Sequence, residues 1–366
     1  MNKDMRRGRR KSRMKRYKFP AALISALVSV LLLSGCRAGD MPSDAGGSGS
    51  GKPSIVCTAF PQYDWTLQIL GSRADQFSVT LLNHQGADMH SFQPTAANMV
   101  SMANCDLFIH MGGYSESWVP AALESAENPD AAVLTLLDHV EKLEEEFTPG
   151  MAHDAYHDHD HGHEENTGID DGDAHSHEED HAAEEVEYDE HLWLSLRCAQ
   201  DACRSIADAV CSLDPAHAEE YEENLQRYCS SLQTLDRKYE TVVSNAECPI
   251  LLFADRFPFR YLAHDYDLEC FAAFPGCSAE TEASFETIIA LSEELSAHQL
   301  QSVILLEGSK TDFAQTVIRN SDRKDARILT LNSMQAAGQK EADAGITYLS
   351  IMEDNLQVLK TALQAQ

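Results

Sequence analysis

Basic charge is scarce in this 366-residue chain once its first 18 residues are set aside. Those 18 hold ten of the 28 Lys and Arg but one of the 59 Asp and Glu, so the remainder carries a net charge of −40. So acidic a body repels nucleic acid and attracts cations, which excludes a nucleic-acid partner. Catalytic signatures are also lacking. There is no His-Glu-x-x-His helix, no Gly-x-Ser-x-Gly elbow and no phosphate-cradling glycine loop. A non-enzyme is therefore expected, with a zinc-dependent hydrolase as the alternative. The ten cysteines form no Cys-x-x-Cys pair and no cysteine zinc cluster. The apolar run at 19–33 has about 15 residues, short of the roughly 20 that span a bilayer.

What is present begins with an address. A basic stretch at 6–18, the apolar run, then Leu33-Ser34-Gly35-Cys36 make a secretory signal: cationic, apolar, then small residues before a cut. Residues 1–35 are read as a signal peptide and 36–52, rich in Gly and Ser, as a flexible tether. The body is thereby placed outside the cytoplasm. Small residues followed by cysteine resemble the lipobox of bacterial lipoproteins. That resemblance implies cleavage before Cys36, its lipidation, and anchoring to the outer face of the cytoplasmic membrane. An exported chain favours disulfides; Cys270 and Cys277, flanking a Phe-Pro-Gly turn, could pair locally, while Cys198, Cys203 and Cys211 fall on predicted helix and suit apolar packing.

The body alternates strand and helix. Strands are expected at 54–58, 77–82, 106–111 and 133–137, and helices at 63–70 and 94–103, forming an N-terminal α/β lobe over 53–213. Residues 150–187 interrupt it with a His- and acid-rich loop too poor in apolar residues to fold. Asp214-Pro215 then opens a helix, with Asp214 as N-cap. Tyr221, Leu225, Tyr228, Leu232, Leu235, Tyr239 and Val242 recur at alternating spacings of four and three, one apolar stripe on a connecting helix over 214–246. Strands at 250–253, 302–306 and 327–331, with helices at 285–297, 311–319 and 348–363, make a C-terminal α/β lobe over 247–366. The fold class is α/β: two Rossmann-like lobes with parallel sheets, joined by a long rigid helix, with a metal site in the crevice between them.

Two histidines stand at loop–helix junctions facing that crevice. His90 lies in Gly86-Ala87-Asp88-Met89-His90-Ser91-Phe92-Gln93-Pro94-Thr95, and His191 in Tyr188-Asp189-Glu190-His191-Leu192-Trp193-Leu194-Ser195. Neutral imidazole suits zinc and its neighbours. On these residues the chain resembles the metal-specific solute-binding proteins of ABC importers, the zinc and manganese uptake type. Gly86, Asp88, His90, Ser91, Pro94 and Thr95 match the pattern around that family's first ligand; Tyr188, Asp189, His191, Trp193 and Leu194 match its second. The resemblance covers nearly all of 53–366. It implies two lobes bridged by a rigid helix, a divalent metal cargo (Zn2+, with Mn2+ as the alternative) and an ABC permease as partner. A monomer is expected, and some members of the family are adhesins.

The match is incomplete. The family's third ligand position falls on Arg256, which has no lone pair to give, and its fourth on Asn332, a weak oxygen donor. Asp255 and Glu282 are therefore the expected oxygen donors beside His90 and His191, and Glu307 matches a family glutamate of unassigned role. Arg256 could instead pair with one of these three carboxylates and help close the lobes. The interrupting loop holds His153, His157, His159, His161, His163, His175, His177 and His181 among carboxylates. It is read as a metal-collecting segment of many weak sites, and its His content tilts the cargo toward zinc.

Overall fold

A computed structural model describes residues 51–125, 127–145, 151, 187–278 and 283–365. The expected signal peptide, Cys36, most of the tether, the eight loop histidines and Glu282 lie outside the described residues. Residues 51–366 form one compact unit. In chain order its elements are β1 (Ser54–Cys57), α1 (Phe60–Leu70), β2 (Ser78–Leu81), α2 (Ala96–Ala103), β3 (Leu107–His110), α3 (Val119–Leu123), β4 (Ala132–Thr135) and α4 (Leu196–Leu213). There follow α5 (Ala218–Ser244), β5 (Ile250–Phe257), α6 (Arg260–Tyr266), β6 (Glu269–Pro275), α7 (Phe285–Ala297), β7 (Ser302–Leu306), α8 (Asp312–Asn320), β8 (Arg327–Leu331), α9 (Gln339–Asp343) and α10 (Tyr348–Ala362).

The strands make two four-stranded sheets in the orders β2-β1-β3-β4 and β6-β5-β7-β8, all pairs parallel. Parallel neighbours need crossover connections, and the crossovers place helices on both faces. Inner strands are accordingly buried and mostly apolar: Leu107-Phe108-Ile109 of β3 and the whole of β7 are buried. Each half is thus the α/β lobe the alternation predicts. Strands β7 and β8 and helix α7 have the expected bounds.

Three local expectations are corrected. Strand β6 was not anticipated, because Cys270-Phe271-Ala272-Ala273-Phe274 does not alternate; it is covered on both faces and reads as an unbroken apolar run. The Cys270–Cys277 bridge is not made: Cys277, beyond the end of β6, is a free thiol. Asp214 is the N-cap residue, with Pro215 next, of a single 3-10 turn over 215–217 that leads into α5, but its side chain makes no capping hydrogen bond. Its carboxylate takes hydrogens from Tyr221 Oη (2.7 Å) and His217 Nδ1 (2.8 Å), and α5 starts four residues later. Cys203 packs in the core as expected, with Cys198 and Cys211 at its margin.

The connecting helix is α5, of 27 residues. Its stripe of Tyr221, Tyr228, Leu232, Leu235 and Tyr239 is buried, with Leu225 and Val242 at the edges. It packs on α1 and α4 from the first lobe and α10 from the second. Tyr239 Oη donates to Met352 O of α10 (2.6 Å), and the Tyr348 ring meets Trp65 of α1 edge-on at 5.1 Å. One core cluster therefore runs through both lobes. Among the described residues no helix is long and apolar enough to cross a membrane.

Asp64, buried on α1, joins these three helices. Its carboxylate accepts from Tyr348 N (3.1 Å), Tyr228 Oη (3.5 Å) and Gln68 Nε2 (3.3 Å). Burial outweighs these hydrogen bonds and pushes its pKa up to about 6, from 3.8. The folded state thus binds a proton that the unfolded state releases. The stabilisation Asp64 gives is complete below the unfolded value and lost as pH rises through about 6. At neutral pH the charged group costs about 3 kcal/mol, at about 1.36 kcal/mol per unit. Asp64→Asn, which keeps an acceptor for Tyr348 and Tyr228, is expected to stabilise the fold by up to about 3 kcal/mol at about pH 8 and hardly at all at about pH 4, read by urea unfolding.

Candidate metal centre between the lobes

His90 is presented by a single tight turn, Met89–Ser91, after β2. Asp88 caps that turn, Oδ1 accepting from His90 N at 3.1 Å. Thr95 then N-caps α2, its hydroxyl accepting from Asn98 N at 3.2 Å. His191 stands before a matching turn, Leu192–Leu194, and is fully buried. Asp189 Oδ1 accepts from both the backbone N (2.8 Å) and the ring Nδ1 (3.1 Å) of His191. Trp193 Nε1 donates to Ser333 O of the other lobe at 2.8 Å, and Ser195 caps α4, its Oγ accepting from Cys198 N at 2.9 Å. Both expected histidines thus sit at loop–helix junctions between the lobes.

Their proton positions follow from their neighbours. Ser115 has one hydroxyl hydrogen, which goes to the Glu190 carboxylate. Its oxygen can therefore only accept from His90 Nδ1, 2.6 Å away. Glu190 Oε1 itself lies 3.2 Å from that nitrogen. At His191 the Asp189 carboxylate fixes the same tautomer. Each ring then carries its hydrogen on Nδ1 and its lone pair on Nε2, as carboxylate-backed metal-binding histidines do. The two Nε2 atoms face one another at 3.2 Å. Two zinc–nitrogen bonds of about 2.0–2.1 Å at a tetrahedral angle set their nitrogens about 3.3–3.4 Å apart. The imidazole pair is therefore already at the spacing of two edge-sharing ligands.

Gln335 meets both lone pairs. Its Nε2 lies 2.8 Å from His90 Nε2 and 2.7 Å from His191 Nε2. A primary amide has two N–H hydrogens, and this one points both at the converging acceptors, where a cation would be drawn. Gln335 is set by the loop after β8. Glu307 accepts from Ser333 N (2.7 Å) and Ser333 Oγ (2.8 Å), and Met334 takes φ 61°, in the left-handed region that side chains seldom adopt. Glu307 thus holds the loop that carries Gln335.

Burial presses the His191 imidazole pKa down, but Asp189, Glu190 and Glu145 outweigh it and leave the value above the ordinary one. Glu190 is buried too, yet hydrogens from His90 and Ser115 and the nearby rings hold it below its usual range. Glu145, close to the carboxylates of Glu187 and Asp189, is pushed up to about 7, chiefly by burial.

Other expected site residues go elsewhere. Asp255 is not brought to the histidines. Its oxygens accept from Arg256 N (2.9 Å) and Leu306 N (3.0 Å), pinning β5 to β7. Asn332 turns its oxygen to Met334 N (2.8 Å) and takes no part. Arg256 pairs with a carboxylate, but with Asp88 across the lobes, at 2.6 Å. A bulge in β5 between Phe253 and Arg256 re-aims that side chain. Sequence reasoning missed Ser115, Glu190, Cys277 and Gln335. Glu190 adjoins His191 in the quoted motif and was legible there; Ser115, Cys277 and Gln335 follow strand ends distant in the chain. Among the described residues, His90, Glu190, His191 and Cys277 each bring one donor atom within 4.8 Å of the others.

Comparison with known proteins agrees with this architecture. The chain is 29% identical over 336 residues to the high-affinity zinc uptake system protein ZnuA of Bacillus subtilis, covering 91% of this chain and 94% of that protein. It is 28% identical over 335 residues to the zinc-binding lipoprotein AdcA of Streptococcus pneumoniae, where it spans 60% of the relative's length. The crystal structure of the Zn(II)-bound ZnuA-like domain of S. pneumoniae AdcA superposes with a TM-score of 0.63 at 25% identity, covering 86% of this chain and 99% of that one. The model of the family described as ZnuA, zinc-uptake complex component A, periplasmic, matches residues 55–362, and the chain belongs to that family.

Proposed function

We propose that this protein captures a divalent transition metal, zinc in the first place, outside the cytoplasm and delivers it to an ABC permease, with no covalent chemistry of its own. The observation that carries this reading is the pair of Nε2 lone pairs 3.2 Å apart, each ring fixed from behind by a carboxylate or a carboxylate-bound serine. His90 and His191 hold the cargo. Nitrogen donors favour zinc over manganese, which prefers oxygen, and the S. pneumoniae relative is described as Zn(II)-bound. Signal peptide 1–35, lipidated Cys36 and tether 36–52 keep the body at the membrane near its permease. The histidines between 153 and 181 collect metal locally through many weak contacts.

Binding displaces the Gln335 amide from between the rings. Gln335 keeps the two acceptors satisfied and the geometry preset at a modest cost in affinity, which suits a carrier that must release what it binds.

Calorimetry on wild type is expected to show one tight zinc site that survives deletion of 153–181 and disappears in His90→Ala/His191→Ala; tight binding in the double variant would overturn the reading. Affinity is expected to fall as pH falls, because a proton and the metal compete for Nε2. With the His191 pKa raised, that loss begins above the ordinary imidazole value of about 6.5, measurable by chelator competition at stepped pH. Gln335→Glu replaces a neutral donor amide with an anionic oxygen and is expected to tighten zinc binding by about tenfold, about 1.4 kcal/mol.

A further inference from the structure

Two imidazoles leave a tetrahedral metal two ligands short. The position where a third would be expected holds Arg256, which is engaged with Asp88. Another donor reaches the site from the second lobe. Cys277 follows β6, and Gly276 before it lies against His191: a Cβ at that glycine would stand 3.0 Å from His191 Cε1 and 2.9 Å from Phe257 O. Only the missing side chain lets this backbone pass so close to the ring, and the next residue is the cysteine. Its Sγ is 3.7 Å from Glu190 Oε1, the oxygen that also receives the Ser115 hydroxyl and lies 3.2 Å from His90 Nδ1. Cys277 therefore belongs to the same closed group as the two rings, with every donor pair within 4.8 Å.

We infer that Cys277 supplies the third protein ligand, a thiolate, to the metal held by His90 and His191, with Glu190 as the outer partner that steadies His90. On binding, the S–H bond is exchanged for a metal–sulfur bond and the proton leaves to solvent. The ligand set then spans both lobes, two nitrogens from one and a sulfur from the other, so the cargo itself ties the lobes together. A soft sulfur selects zinc and cadmium and disfavours manganese. This inference rests on the reading that the two imidazoles bind the cargo.

Cobalt(II) in place of zinc tests it on the full chain. The wild type is expected to develop a near-ultraviolet thiolate-to-cobalt charge-transfer band that saturates at one equivalent and is absent from Cys277→Ser. The His-rich segment 153–181 contains no cysteine and cannot produce it. Zinc affinity of Cys277→Ser is expected to fall by more than the roughly 10–100-fold that loss of an outer partner costs. A wild-type band that also vanishes in His90→Ala/His191→Ala assigns the sulfur to this site, where Cys277 is the one cysteine of the donor group among the described residues, so a folding defect in Cys277→Ser leaves the question decidable. Cobalt held in a site that requires His90 and His191 but shows no sulfur band, or Cys277→Ser binding zinc as tightly as wild type, overturns this inference alone. Tight binding that persists in His90→Ala/His191→Ala overturns the parent reading instead.

Discussion

Two neutral imidazoles must keep their lone pairs aimed at one point, and most of the interlobe architecture answers to that requirement. A lone pair on Nε2 needs a hydrogen on Nδ1, and a hydrogen on Nδ1 needs a fixed acceptor. Asp189 is that acceptor for His191; Ser115, itself bound to Glu190, is the acceptor for His90. Both carboxylates adjoin His191 in sequence, so one short segment sets both rings. That segment is locked in turn by Trp193 on Ser333 and by Tyr261 Oη on Asp189 O (3.0 Å). The α5 core below gives these contacts a rigid base.

Arg256 acquires a meaning within this frame. An arginine cannot ligate a metal, but it can bridge lobes. It reaches Asp88, whose other oxygen caps the turn that holds His90. Asp88 stays charged because the guanidinium, with help from His90, outweighs its burial. The pair is partly exposed, at 20% and 31%, so its contribution is orientation more than stability. The residue that removes one ligand from the site thus steadies another.

Much of the fold was legible because periodicity survives burial. The alternating four- and three-residue stripe of α5, the apolar run of β7 and the strand β8 lie where their patterns put them. Strand β6 was hidden by its own apolarity, since a strand buried on both faces loses the alternation that betrays strands. The site was legible only at its histidines. Asp255 looked available because it stands beside Arg256 at a strand end, yet backbone hydrogens claim both its oxygens. Cys277 and Gln335 follow β6 and β8, and their meeting with His90 and His191 is a product of sheet topology, which brings strand C-termini to one crevice. Chain spacing carries no trace of that meeting.

At the rim the lobes touch through backbone. Gly86, at φ 65°, lies so close to the segment around Gly338 that a Cβ on it would stand 2.5 Å from Ala336 O, and Gln339 N donates to His84 O at 3.0 Å. Peptide against peptide is an incompressible stop. Side chains can swing, swell or be exchanged by mutation, but a seam of main chain fixes the gap to the thickness of a peptide group. The outline of this edge is therefore set by main chain, and substitution of the surrounding side chains barely alters it.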